Sequence, residues 1–435
     1  MSEQLLDTPS KHPFSVLAVL DNAWSVLREK ALTTAWPPLI RVTETAVITL
    51  MQKITSGHLR VLTYSQIYAF PSLKGPNPKD DLKAELRVIK DTFWIRLVTM
   101  GDLGFSEAYM YGDVECDDLV ALFKIFLHNR QNLVDLDSKA SYLFTLPQKI
   151  TSYRFLNTIS NSRCNISAHY DISNEMFAGF LSEDMTYSCA IFDTLDADLK
   201  GGQLRKLRHI IAKAKISSNQ RVLEIGSGWG SLSILIAQTF PGTTVDTITL
   251  SVHQQTMALA RIKAADMQDR IKVHLMDYRA MPFEWKGLFD RVVSIEMIEA
   301  VGSEFIEKYW SVVDWALKED GGVGVVQVIT IPEALFPGGF LPTVTLLLQA
   351  MEKGSSGRLI VDSISNIGPH YARTLREWRK RFISNFDSVI VPALKTEYPS
   401  VMGGPKGREE IEVFKRKWLC ACYCEVGFTT RTLGG

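Results

Sequence analysis

Between Arg221 and Ile329 short apolar runs recur at regular intervals, and the pieces between them carry a helical period. The runs RVLEI, TTVDTITL, IKVHLM, FDRVVSI and GGVGVVQVI are rich in Val and Ile. Such runs suit strands covered on both faces. Strands alternating with helices predict an α/β domain on a parallel, doubly wound sheet. Upstream the texture differs. The first ~80 residues mix helix and strand signals and end in the breaker PSLKGPNPKDD. Residues 83–135 alternate short apolar runs with turns, and 136–200 read as mainly helical. After Pro332 the chain reads as loop, then helix, with a strand only at the extreme end. The pattern therefore predicts a smaller α+β domain over residues 1–135 and the α/β domain over 136–435.

Composition narrows this picture. The 435 residues carry 48 Lys and Arg against 48 Asp and Glu, so no basic excess marks a nucleic-acid surface. No apolar run approaches the ~18 uninterrupted residues of a spanning helix. The polar start MSEQLLDTPSKHP lacks the apolar core of a secretory leader, so a cytoplasmic location is expected. Six cysteines, at 116, 164, 189, 420, 422 and 424, are too sparse for a disulfide scaffold. No second Cys or His cluster accompanies the three in WLCACYCEVGF, so they read as packed thiols and no metal is expected.

The candidate chemistry starts where the first regular strand ends. RVLEI runs into Gly226, Gly228 and Gly230 and then a helix from Ser231. Glycines permit a tight turn and close approach of a ligand, and the helix start points its amides at it. The spacing misses the dinucleotide pattern by one residue, and there is no lysine for a triphosphate loop. A carboxylate at Glu224 with no lysine suits a ligand with a cationic centre, such as the sulfonium of S-adenosylmethionine. Asp277, Tyr278 and Arg279 follow the third strand, and Glu296 and Glu299 follow the fourth. Ligands of open α/β sheets bind at these carboxyl ends.

Taken together, GDLGFSEAYMYGDVECDDL, AHYDISNEMFAGFLSEDMTYSCAIF, VLEIGSGWG, TLSVHQQ, DYR, FDRVVSIEMIEAVG and QVITIP resemble the cyclopropane-fatty-acyl-phospholipid synthases, which are related to the mycolic acid cyclopropane synthases. The resemblance implies a Rossmann-like class I methyltransferase sheet with a helical cap, dependent on S-adenosylmethionine. It assigns Tyr187 and Ser188 to the cofactor, and Gly226, Gly228 and Gly230 to its methionine part. It puts Thr249, Leu250 and Gln254 near the ribose, and Tyr278 and Arg279 beside the adenine. It further implies a bicarbonate ion held by Cys189, Glu299, Gln327 and Tyr371 as the base that closes a cyclopropane ring on a cis alkene. Gln327 stands where many members carry histidine, the loop after Pro332 is short, and the chain stops before the family's last strand.

The implied partner is an unsaturated phospholipid met at a membrane surface; a homodimer is compatible with the sequence. YARTLREWRKRF places Tyr371, Leu375, Trp378 and Phe382 on one stripe ringed by five basic residues. The pattern fits either a membrane-surface helix or a helix packed on the core; the core is expected, because Tyr371 is also a site candidate. Residues 13–60 are an alternative docking surface.

Overall fold

In a computed structural model, the described residues are 37–71, 82–133, 173–331 except Leu195, and 341–429 except Cys424. They divide into two compact units, and the dividing line is not a single cut in the sequence. The first contains the described residues up to 133 together with Ser400–Val426; the second contains those from 173 to Pro399 with 427–429.

The first unit is α+β, as the mixed pattern implied. Its elements are α1 (Pro37–Met51), β1 (His58–Leu62), β2 (Ile67–Phe70), β3 (Lys83–Val88), α2 (Thr92–Met110), β4 (Val114–Cys116) and α3 (Leu119–His128). The strands lie in the order β2-β1-β3-β4. β1 pairs antiparallel to β2 and parallel to β3, and β4 closes antiparallel on β3. Alternation along β1 buries Leu59 and Val61 against Val47, Phe93, Trp94, Leu122 and Ile125 from the helices.

The second unit contains α4 (Leu199–Lys213), β5 (Arg221–Ile225), α5 (Ser231–Thr239), β6 (Thr244–Thr249), α6 (Val252–Ala264), β7 (Ile271–Leu275), β8 (Arg291–Ile295), α7 (Ile306–Ala316), β9 (Val323–Gln327), α8 (Val344–Gly354) and α9 (Gly368–Asn385). Its five strands run β7-β6-β5-β8-β9, all parallel. The five apolar runs thus become the five strands. Both faces are covered, which is why the runs are rich in Val, Ile and Leu. Leu223, Ile225 and Val292 pack with Tyr309, Val312 and Val313 of α7 on one face. Val222, Val245 and Val293 pack with Ile210, Leu232, Ile236 and Ile262 of α4, α5 and α6 on the other. The order reverses beside β5, so the crevice for a ligand opens at the end of that strand.

Several expectations need correction or placement. The described part of 136–200 is mostly irregular, with one short helix at Asn174–Ala178 before α4 begins. Its backbone is instead held by side chains, as where Gln203 of α4 donates to the Ser188 carbonyl at 2.7 Å. The described end of the chain is helical, not a strand: α10 (Gly407–Cys422) belongs to the first unit, with Phe414 and Trp418 buried one turn apart. Cys420 therefore sits on a helix, and among the described residues no acidic, His and Cys cluster could hold a metal. The stripe of α9 is buried at Tyr371, Leu375, Trp378 and Phe382, so it packs inward as expected and is not free to lie in a bilayer. No described helix is long and apolar enough to cross a membrane. The short loop after Pro332 and the first 36 residues lie outside the described residues.

Candidate active site

The pocket of the second unit opens where β5 turns into α5. Gly226 and Gly230 adopt φ of 95° and 86°, conformations that side chains resist. A Cβ on Gly230 would meet the Cβ of Ala258 at 3.3 Å, so this glycine lets α5 and α6 approach rather than lining the pocket. No side chain caps α5, which leaves its first amides facing the crevice.

Most of the expected cofactor residues line one pocket: Tyr187, Ser188, Glu224, Gly226, Gly228, Thr249, Leu250, Gln254 and Tyr278. Glu224 is buried in β5 and accepts from Ser233. Burial pushes its carboxyl up to about 7, against the pull of Ser233, Thr247 and Lys206. Thr249 donates to Gln254 at 2.8 Å and so ties the end of β6 to α6. Asp277 and Arg279 stand back from the pocket. Asp277 accepts from the Arg279 backbone N–H at 2.9 Å and from its guanidinium at 2.8 and 2.6 Å. The guanidinium also lies 5.4 Å from the Tyr278 ring centre, so the pair shapes the turn that presents Tyr278.

The four residues expected around bicarbonate meet differently. The Cys189 backbone N–H and Gln327 Nε2 donate to one oxygen of Glu296 at 2.9 and 2.7 Å, and the Tyr371 hydroxyl donates to the other at 2.8 Å. Glu296 lines the pocket and is half-buried there. Burial raises its carboxyl, and those three donors and Lys206 oppose the rise. The Cys189 thiol is itself buried and held neutral by that burial and by Glu296 beside it. It contributes its amide, not its sulfur. The Tyr371 ring stacks on Phe428 at 4.5 Å, which fixes its hydroxyl.

Glu299 stands apart. One oxygen accepts from the Ile329 N–H at 2.6 Å; the other is buried with no partner. Burial, and then repulsion from Glu296, push its carboxyl up to about 8. The folded chain holds this proton more tightly than the unfolded one. Stability from this group is complete below about pH 4.5 and is lost as pH climbs through about 8. Glu299→Gln is expected to remove a penalty on the order of 3 kcal/mol at pH 8.5. Thermal melts at pH 5 and 8.5 check this: the wild-type transition should drop more between them, and parallel curves would refute it.

Sequence reasoning missed two residues. Glu296 stood out only as one of two acids after the fourth strand. Lys206, in QLRKLRH, reads as a solvated helix charge, yet it is wholly buried and lines the pocket. Its ammonium donates to the Ser188 hydroxyl at 2.6 Å, and burial pushes it down to about 8. Its side of α4 also carries Leu199, Gly202, Gln203, Leu207 and Ile210, all buried. A helical wheel marking that face was the available signal.

Known proteins share this chain's sequence pattern and fold. The description "Mycolic acid cyclopropane synthetase" matches residues 158–398. The chain belongs to that family. It is 33% identical over 356 residues to the tuberculostearic acid methyltransferase UfaA1 of Mycobacterium tuberculosis, covering 77% of each chain. It is 32% identical over 319 residues to the cyclopropane-fatty-acyl-phospholipid synthase of Escherichia coli, covering 70% of this chain and 78% of that one. The structure of mycolic acid cyclopropane synthase CmaA1 complexed with SAH and CTAB superposes with a TM-score of 0.52 at 23% identity. That match covers 62% of this chain and 95% of the other. The fold is the class I methyltransferase fold, and membership makes this chain an S-adenosylmethionine-dependent methyltransferase of the cyclopropane synthase family.

Proposed function

We propose that the protein transfers a methyl carbon from S-adenosylmethionine to the cis double bond of an unsaturated fatty acyl chain carried by a phospholipid, and closes a cyclopropane ring. The observation that carries this reading is the half-buried, hydrogen-bonded carboxylate of Glu296 on the wall of the cofactor pocket, set to take a proton rather than to bind a metal.

The pocket's own residues fit the cofactor. Glu224 and Lys206 offer opposite charges to the ammonium and carboxylate ends of a methionine. Tyr187 and Trp229 line the same pocket and belong to an aromatic group with Phe177, Phe180 and Trp378, at ring separations of 5.0 to 6.2 Å. Aromatic faces stabilise a sulfonium or a carbocation. S-adenosylmethionine, when bound, supplies an electrophilic methyl carbon, which the alkene's π electrons take up as the S–C bond breaks toward sulfur. Residues of the pocket then hold the cationic chain away from water and accept its proton. Tyr187, Ser188, Glu224, Gly226, Gly228, Thr249, Leu250, Gln254 and Tyr278 are proposed as cofactor residues. Glu296 joins Cys189, Gln327 and Tyr371 at the reacting end, and Glu299 lies beyond them.

A second reading keeps the methyl transfer but not the ring, and the relative named a tuberculostearic acid methyltransferase favours it. Mass spectrometry of lipids incubated with methyl-labelled S-adenosylmethionine separates the two. Ring closure adds one labelled CH2 and removes the alkene's reactivity toward ozone. A product that keeps an alkene, or that gains a saturated methyl branch, would exclude the ring. Because the substrate resides in a bilayer, the proposal includes peripheral membrane association, read by cosedimentation with unsaturated phospholipid vesicles.

A further inference from the structure

Among the described residues, the resemblance's bicarbonate site and the observed hydrogen bonds disagree. The Cys189 amide, the Gln327 amide and the Tyr371 hydroxyl are all engaged by the Glu296 carboxylate. An added bicarbonate would lie against a carboxylate of like charge, with the donors that should hold it already in use. The fourth expected ligand, Glu299, is itself an acid and brings no amide or cation. These residues do not fit a bound bicarbonate.

We propose that the carboxylate of Glu296 replaces the bicarbonate ion as a built-in base, so that this enzyme closes its product without an exogenous anion. The inference rests on the methyl-transfer reading above. Its chemistry balances without another reactant. After methyl transfer the acyl chain carries a cation on the neighbouring carbon. Glu296 takes one proton from the new methyl, and the released C–H electron pair closes the bond to the cationic carbon. Glu296 is left as the neutral acid and returns its proton to solvent before the next turnover.

Two further observations agree. Glu296 holds φ of 47°, a left-handed conformation unusual for a residue with a side chain. Such strain costs on the order of 1 kcal/mol and persists where the surroundings hold it. Here three hydrogen bonds from separate parts of the chain hold it. The carboxylate also offers two oxygens on one carbon in one plane, as bicarbonate does, so the same donors serve either anion. Burial of the group makes it a stronger base than a free carboxylate, within reach of proton transfer from carbon next to a cation.

The test uses the full chain, unsaturated phospholipid vesicles, and buffer freed of carbon dioxide. Wild-type turnover is expected to be unchanged when bicarbonate is removed or restored. Glu296→Gly relieves the strained φ and leaves an anion-sized space. Its turnover is expected to fall about 100-fold or more and to recover in part with bicarbonate or formate. Calorimetry with S-adenosylmethionine confirms that the variant is folded. Isotope-labelled bicarbonate, followed by NMR line broadening, is expected to bind the variant and not the wild type. A wild-type enzyme that loses activity without bicarbonate, or that binds the labelled ion in competition with formate, would overturn the proposal. So would a Glu296→Gly enzyme as active as the wild type. If the wild type methylates no unsaturated lipid, the function proposed above fails. The NMR titration still judges this inference by itself.

Discussion

Glu296→Gln is expected to lower kcat by roughly 10²- to 10⁴-fold while leaving S-adenosylmethionine affinity within about threefold. Glutamine keeps the volume and one carbonyl oxygen, so the Cys189 and Gln327 amides can still find an acceptor. The Tyr371 hydroxyl would then face an NH2 and must rotate to accept from it. The cost in stability is therefore on the order of 1 kcal/mol, but no proton can be taken up. Initial rates with labelled methyl donor, paired with calorimetric titration of the cofactor, read the two quantities separately. Equal losses in rate and affinity would assign Glu296 to the framework of the pocket rather than to the chemistry.

The second large effect is expected at Lys206. Its ammonium is the buried cation whose field lowers Glu296 and Glu224. At an effective dielectric near 20, a unit charge several ångströms away contributes on the order of 1–3 kcal/mol, or roughly 1–2 pH units on a neighbouring carboxyl. Lys206→Met keeps the packing stem and removes the charge. The acid limb of the pH–rate profile should then move up by about 1–2 units. Turnover at pH 7 should fall roughly 10- to 100-fold and recover toward pH 9. A merely structural lysine would lower the whole profile without moving it, and that outcome would refute the electrostatic role. Stability gives a further sign: a lysine lowered to about 8 costs stability at and below that pH and regains it as pH rises toward 10.5. The methionine variant should lack that rise.

Much of the fold was legible because the information is local. Strands covered on both faces are mostly apolar, so β5, β6 and β8 announce themselves as Val- and Ile-rich runs, and β9 does so despite its partial exposure. The glycine turn is legible for the same reason: positive φ and close approach restrict the residue type wherever they occur. From these the crevice and a cofactor with a cationic centre follow; the residues placed around that cofactor come mostly from the resemblance to the cyclopropane synthases.

What the sequence leaves open has a different cause. The sequence sets Asp277 and Arg279 at a strand end facing the ligand crevice, and in the fold the two bond one another across two residues and hold the turn of Tyr278. The segment before α4 reads as mainly helical, but its polar backbone is met by α4 side chains and by distant residues, as where the Ala190 N–H donates to Thr374. Cys420, one of three alternating cysteines that read as packed thiols, lies on a helix of the first unit.

The sequence by itself determined the parallel sheet, the glycine turn and a cofactor with a cationic centre, because each depends on period and residue type within one short stretch. Only the tertiary structure decided which of two acids three residues apart becomes the centre of the site. Glu296 and Glu299 are chemically alike and follow the same strand. The left-handed turn at Glu296 aims one carboxylate at an amide from residue 189, a side chain at 327 and a hydroxyl at 371. Those donors converge only after the chain has folded, and α4 brings the compensating charge of Lys206 to the same pocket. No local pattern records such convergence, because the energy of a buried charge is set by neighbours distant in sequence.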